Sequence, residues 1–529
     1  MTAIIVLGVL GLAAAVALLR GPHVALAWVY FPVFFLVPAS LLLALPVVPD
    51  LTPRSAAAIG VLCGGLLAHP AAMRLPKACY VDALVAAVVV SYSISYGLQT
   101  DFMGLVHALA ARSLEWALPY ALVRVLWQDI QSARAALVPV GSSVAALGLA
   151  CVYECRMAHR ILAEVWDVVA GLGVPRYHEA WRWGYLRAVG TFSHPLTLGT
   201  VLASMAPLML LWAKLSRRWR IIAWGAAGVC VCGTVATLSR GPMAAVLLGL
   251  AVAFMAAERR PVTYALLAVA AVALIPVALD ALGEGADYVR RSFAEHGNVE
   301  SGYYRLALII LYLGDLTRVG FFGDLSLVGQ EYELAYSVDN SYLYLFFYGG
   351  WIGGGLFLTM IGGVVVSVVR SLRRSSSRAI RTARALVLGS CIAMLASMAD
   401  VYFAPDYASL LFVIEALAIS QTRESWYASR SGGSALPRRE LAIPATRIPA
   451  FRIPAFRQVA AGPEPQPAGA VPASTRNAAL VPGGLARREP TQPPHPNAPA
   501  AGAGRSRSAR PIVRAELQSA PSSSSRARS

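Results

Sequence analysis

Apolar stretches long enough to cross a bilayer recur from Ile4 to about Ser420, separated by short polar or basic breaks. A crossing helix needs roughly 17–25 mostly apolar residues. The pattern predicts thirteen helices, over roughly 3–19, 25–48, 55–69, 81–98, 104–127, 135–152, 191–213, 220–239, 242–257, 261–280, 341–368, 384–400 and 407–421. The segment 104–127 is the least regular, because Arg112, Glu115 and Arg124 interrupt it. The implied fold class is an all-α polytopic integral membrane protein. It has about 12–13 transmembrane helices, a large extracytoplasmic loop and a disordered C-terminal tail. Met1-Thr2-Ala3 lacks the basic start of a signal peptide, so the first run reads as a retained span.

Charge in alternate loops orients the chain. Short cytoplasmic loops are enriched in Lys and Arg. One alternating set holds Arg20, then Arg74 and Lys77, then Arg134, then Lys214 through Arg220, then Arg259 and Arg260, then Arg370 through Arg384. The other set holds Arg54, residues 153–190, the turn at Ser239-Arg240-Gly241, residues 281–340 and residues 400–407. The first set is therefore read as cytoplasmic, with the N-terminus outside and the C-terminus inside. Two loops of the second set exceed a simple connector. Residues 153–190 include Trp166, Trp181 and Trp183, and residues 281–340 include a predicted helix from Tyr303 to Leu313. Long loops of this kind tend to carry function, which puts the working face outside the cytoplasm.

Only 14% of residues are charged, yet the net charge is +17. Residues 422–529 hold sixteen Arg, no Lys and five acids, a net of +11, so residues 1–421 carry about +6. Residues 1–421 form the membrane domain. The Pro-, Ala-, Ser- and Arg-rich remainder cannot bury a core and reads as a cytoplasmic tail. Each basic residue near anionic headgroups gains roughly 1 kcal/mol. The tail is thus expected to meet anionic lipids or other proteins of the same assembly, and no nucleic acid. Its repeat, Arg447-Ile-Pro-Ala-Phe then Arg452-Ile-Pro-Ala-Phe, fits either a docking motif or compositional drift. Seven cysteines, six of them in or beside apolar runs, read as small helix residues without metal-site spacing.

Candidate chemistry lies on the outer face. Arg187 precedes Ala-Val-Gly190-Thr-Phe192-Ser-His194-Pro195, Arg240 sits in Ser239-Arg240-Gly241-Pro242, and Arg305 opens the loop helix. Arginines at span edges can simply snorkel. They also grip phosphate oxygens through a planar two-pronged contact, which a lipid diphosphate at headgroup level would supply.

These residues resemble the O-antigen ligase and Wzy-type polysaccharide polymerase superfamily. The match rests on Arg187-x-x-Gly190-x-Phe192-x-His194-Pro195, Ser239-Arg240-Gly241, an arginine in a large outer loop, and Asp339-Asn340-Ser341-Tyr342-Leu343, over about residues 80–420. The resemblance implies transfer of a glycan from a polyprenyl-diphosphate donor to an acceptor hydroxyl, with no metal and no nucleotide cofactor. It places Arg187, Arg240 and Arg305 on the diphosphate, and His194 and Asn340 near substrate. Asp339-Asn340, nine residues, then Gly350-Trp351-Ile352-Gly353 keeps the ligase frame, but aspartate stands where the ligases carry their histidine base. Asp339 fits either a substitute base or an N-cap of the following span. Phe322-Gly323-Asp324 likewise replaces a usual Gly-x-Gly.

His194 fits either substrate contact or a loop-fixing role. Asp82 and Glu415, near expected cytoplasmic ends, suit snorkelling or pairing more than a proton relay. His159, His178 and His296 lack metal-ligand spacing. The leading expectation is a polymerase of lipid-linked oligosaccharide units for a surface glycan. A ligase to another acceptor, a small-anion transporter and a scaffold are the alternatives.

Overall fold

The structure is a computed structural model. It describes residues 1–45, 49–128, 130–171, 181–258, 316–324, 340–375, 377–401, 403 and 405–422, all within one compact unit, Met1–Leu436. The predicted span 261–280, the loop helix with Arg305, Asp339 and the tail beyond Thr422 lie outside the described residues.

The described helices are α1 Thr2–Arg20, α2 Pro22–Leu36, α3 Pro53–Ala68 and α4 Tyr80–Gln99. Next come α5 over 102–126, α6 Ile130–Met157 and α7 Ile161–Ala170. A two-strand hairpin comes after them, β1 Trp181–Arg182 with β2 Tyr185–Leu186. The chain continues with α8 Pro195–Leu215, α9 Arg220–Ala236 and α10 Arg240–Glu258. It ends with α11 Ser341–Arg374, α12 Arg378–Met398 and α13 Pro405–Thr422.

Seven of these helices, α1, α4, α6, α8, α10, α11 and α12, are long and apolar enough to cross a membrane, and α2, α3, α9 and α13 are shorter apolar helices. Side chains such as Leu67, Ile221, Leu247 and Phe254 stand exposed along them. Apolar surface of that kind is stable against acyl chains and unfavourable in water. The chain is therefore a helical, multi-pass membrane protein.

One expected span needs correction. The segment 25–48 is helical only to Leu36. Val37 is extended (φ −111°, ψ 127°), because the ring of Pro38 disfavours a helical residue before it. The chain then pairs Leu43 with Leu51 and re-enters at α3 through Thr52, whose hydroxyl accepts from Ser55 N. The irregular segment 104–127 is a helix, with a π turn at Ser113–Ala117.

Packing depends on small residues. α10 and α12 touch where Gly249 faces the Gly389 carbonyl and Gly389 faces the Gly249 carbonyl, leaving no room for a Cβ on either. Such contacts let backbones approach where lipid offers no hydrophobic drive.

Polar ties define the two ends of the bundle. At one end Arg124 grips Asp82 at 2.8 Å and reaches Ser420, Arg384 binds the Gln421 and Ser371 carbonyls, and Arg378 pairs with Glu258. Asp82 is thus paired. Glu415 is not at an end: it is buried within α13, and its Oε2 meets no hydrogen-bond partner among the described residues. At the opposite end Thr191 Oγ1 donates to Phe35 O at 2.7 Å and Trp166 Nε1 donates to Leu36 O at 2.8 Å. Ser341 Oγ donates to Val401 O there. Among the described residues, the short basic breaks of the sequence gather at the first end.

α11 is two helices end to end. Gly350 breaks it with φ 66° and ψ −169°. Residues 320–324 fill the break: Gly320 O accepts from Trp351 N, Phe321 O accepts from Ile352 N, and Asp324 N donates to Phe347 O. Ser95 Oγ, from α4, donates to the Phe322 and Tyr348 carbonyls. Backbone groups freed inside a membrane must find such partners.

Candidate functional site

The segment from Arg187 to Pro195 is held along its whole length. Arg187 Nε donates to Thr237 O at 3.1 Å and its Nη2 to Ser239 Oγ at 2.8 Å. Ala188 N donates to Ala236 O. The buried Glu154 carboxylate accepts from Val189 N and Gly190 N, at 3.3 and 3.1 Å. Gly190 has φ 59°, a left-handed turn that a glycine adopts without strain. His194 caps α8, its Nδ1 accepting from Leu196 N at 3.2 Å, and Pro195 occupies the first helical position. His194 and Arg187 therefore shape the segment, and Arg187 fixes the 237–239 turn that precedes Arg240.

Arg240 itself is exposed, its guanidinium 5.9 Å from the Trp183 ring centroid. Trp183 and Gly184, both at positive φ, form the two-residue turn of the β1–β2 hairpin. Arg182 on β1 donates to Leu238 O at 2.7 Å. The structure thus brings Arg182, Arg187 and Arg240 to one turn. Arg305 and Asp339 fall outside the described residues.

The N-cap of α11 is Asn340. Its Oδ1 accepts from Leu343 N at 3.1 Å and its Nδ2 donates to Ala399 O at 3.0 Å. The capping role weighed for Asp339 belongs to its neighbour. The Gly350-x-x-Gly353 frame coincides with the break in α11, and Gly323 lies against the Phe347 and Tyr348 carbonyls there.

Two cavities sit at and below the end opposite the basic loops. The larger, about 440 Å³, is bordered by Arg54, Glu115, Arg160, Trp166 and residues 190–193. Arg54 is buried between Phe34 and Phe192, 4.5 and 5.1 Å from their centroids. The Nε of Arg160 is buried and meets no hydrogen-bond partner among the described residues. The smaller, about 300 Å³, is walled by Tyr92, Tyr96, Trp116, Tyr344 and Tyr348 around Arg112. The Arg112 guanidinium lies 4.9 Å from the Tyr348 centroid and 5.6 Å from that of Trp116, and its Nη2 donates to Tyr348 Oη. His107, Ala111 and Glu115 line both cavities.

Neither Arg187 nor Arg240 is among the described residues that border the larger cavity; its arginines are Arg54 and Arg160. Reading the sequence placed Arg54 only as a loop charge and did not single out Arg160 or Glu154. The signal that could have led there was three ionisable groups, Arg112, Glu115 and Arg124, inside one span, since such residues are costly in a bilayer unless they serve a cavity or a partner. Comparison with protein-family models and with curated proteins returns no match.

Proposed function

We propose that the protein joins polyprenyl-diphosphate-linked oligosaccharide units at the outer face of a cytoplasmic membrane, as a polymerase of a surface glycan. The observation that carries this reading is the larger cavity. It lies at the end away from the described basic loops, it takes in Gly190–Ser193 of the Arg187–Pro195 segment, and it presents Arg54 and Arg160. By the positive-inside bias the basic end faces the cytoplasm, so the cavity faces outward. Arginines lining a cavity on that side suit an anionic ligand, and a lipid diphosphate brings one to headgroup depth. In the reaction the bond between the donor sugar's anomeric carbon and the diphosphate oxygen breaks. A bond from that carbon to the acceptor hydroxyl oxygen forms, and the hydroxyl gives up its proton to a base. The electron pair leaves with the lipid diphosphate.

The test is Arg160→Gln in cells that depend on the protein. One lost charge-assisted hydrogen bond is worth roughly 1.5–3 kcal/mol, so polymer output should fall by about one to two orders of magnitude. Single lipid-linked repeat units should accumulate. Long chains left on lipid would instead identify a ligase. If Arg160→Gln leaves output unchanged while Arg240→Lys abolishes it, the diphosphate sits at the 237–239 turn, as the family resemblance implies. One observation favours a second reading, transport of a small anion. The break in α11 falls nine residues, ~14 Å, from its start, and broken helices near the midplane are a transporter feature. Flux of an anion through reconstituted vesicles, with no glycan phenotype, would select it.

A further inference from the structure

The two cavities meet at one helix, and the helix is irregular where they meet. The π turn Ser113–Ala117 inserts an extra residue into α5. That rotates the rest of the helix by ~100° relative to an unbroken one, and such bulges are frequent at functional sites. The turn is held from α13, where Ser409 Oγ donates to Glu115 O at 2.6 Å. Arg112 and Trp116 border the smaller cavity, and Glu115 borders both. The two cavities differ in chemistry. The larger offers Arg54 and Arg160; the smaller offers stacked aromatic faces, with Tyr344 and Tyr96 each about 6 Å from Tyr348, centroid to centroid.

Aromatic walls suit the apolar faces of sugar rings, as they suit other amphipathic ligands, while hydroxyl and guanidinium groups take the sugar hydroxyls. Arg112 brings a guanidinium to this cavity, its Nη2 donating to Tyr348 Oη on the wall. An ionisable carboxylate kept inside a membrane domain at the wall between two such spaces calls for a functional account.

We propose that the cavities are the donor and acceptor subsites of one transfer centre, and that Glu115 takes the proton of the attacking hydroxyl. The diphosphate of the donor lies against Arg54 and Arg160. The terminal sugar of the acceptor glycan lies in the aromatic cavity beside Arg112. The acceptor hydroxyl oxygen attacks the donor's anomeric carbon, its proton passes to the Glu115 carboxylate, and the lipid diphosphate departs with the bonding electrons. No oxidant or further reactant is needed. Tyr30 and Glu115 border the larger cavity together. This assignment rests on the polymerase reading, and the experiment separates the two.

The full chain is purified into nanodiscs of phosphatidylcholine and phosphatidylglycerol. Farnesyl diphosphate binding is read by tryptophan fluorescence, Trp116 and Trp166 being cavity residues. Chain extension is measured with lipid-linked repeat units isolated from cells lacking the protein. Glu115→Gln should bind farnesyl diphosphate within about twofold of the unaltered protein and extend chains at least a hundredfold more slowly. Tyr344→Ala should raise the acceptor concentration needed for half-maximal rate and leave farnesyl diphosphate binding unchanged. If Glu115→Gln does not accumulate, Glu115→Asp decides. It keeps the carboxylate but withdraws it by one methylene, and should extend chains at least tenfold more slowly. Full extension by whichever Glu115 variant accumulates, with the unaltered protein active, overturns the Glu115 assignment and leaves the polymerase reading standing. An unaltered protein that neither binds farnesyl diphosphate nor extends chains overturns both.

Discussion

Gly350→Ala should destabilise the protein more than any other small substitution in α11. At φ 66° an alanine pays the left-handed penalty, about 1–3 kcal/mol for a non-glycine residue in a sparsely populated region. Its methyl group would also meet the Phe321 carbonyl and the Gly323 nitrogen, both backbone atoms that cannot rotate away. Relieving that collision moves residues 320–324 out of the break. Three hydrogen bonds then go, from Trp351 N, Ile352 N and Asp324 N. At about 1 kcal/mol each, the total cost is ~4–6 kcal/mol. Gly355 is the control. It lies in the regular second half of α11 with open space where a Cβ would sit, so Gly355→Ala should be neutral or stabilising by up to about 1 kcal/mol. The assay is thermal unfolding in detergent with a thiol-reactive fluorophore, which reports Cys151, Cys230 and Cys391 as they leave the core. Equal melting temperatures for Gly350→Ala and Gly355→Ala would refute the reasoning, because the backbone break would then be unnecessary.

Arg124→Ala leaves Asp82 without its cation at the basic end and should cost about 3 kcal/mol, read as a lower unfolding temperature in the same assay; an unchanged temperature would show the pair to be dispensable. In a protein whose exposed Cys63 and Cys232 are replaced by serine, a cysteine at Ser40 should label from outside intact cells and one at Arg217 only after permeabilisation. The reverse pattern would invert the proposed orientation. Truncation after Arg430 removes most of the arginine-rich tail and should leave chain extension measurable at normal protein abundance, since every candidate residue precedes it.

What the sequence made legible is what hydropathy controls. Ends of helices came through within a few residues where a proline or a capping residue marks them, as at His194-Pro195, Thr52-Pro53 and Asn340. The second span was overextended because hydropathy continues past Leu36 while Pro38 ends the helix; the local backbone rule outweighed the apolar run. The candidate site was less legible for a different reason. Arg187 and His194 sit in a pattern that draws attention, yet their hydrogen bonds fix backbone: the 237–239 turn and the start of α8. The groups that border the cavities, Arg54, Arg112, Glu115 and Arg160, come from separate stretches of α3, α5 and the start of α7, and no spacing along the chain relates the three.

The residues that made 104–127 look like a poor span are the ones that give it a role. Arg124 turns toward Asp82 and anchors the basic end. Arg112 and Glu115, one turn apart across the π bulge, border the cavities instead. A helix placed only to fill lipid would not carry three ionisable side chains, each costing roughly 2.5–3.5 kcal/mol near the bilayer centre on insertion scales. That cost falls where an ionisable side chain borders a cavity or finds a partner, as these three do. Loss of hydropathy inside an otherwise regular array of spans is therefore the sequence signal closest to the candidate site. It points to α5 before any motif does.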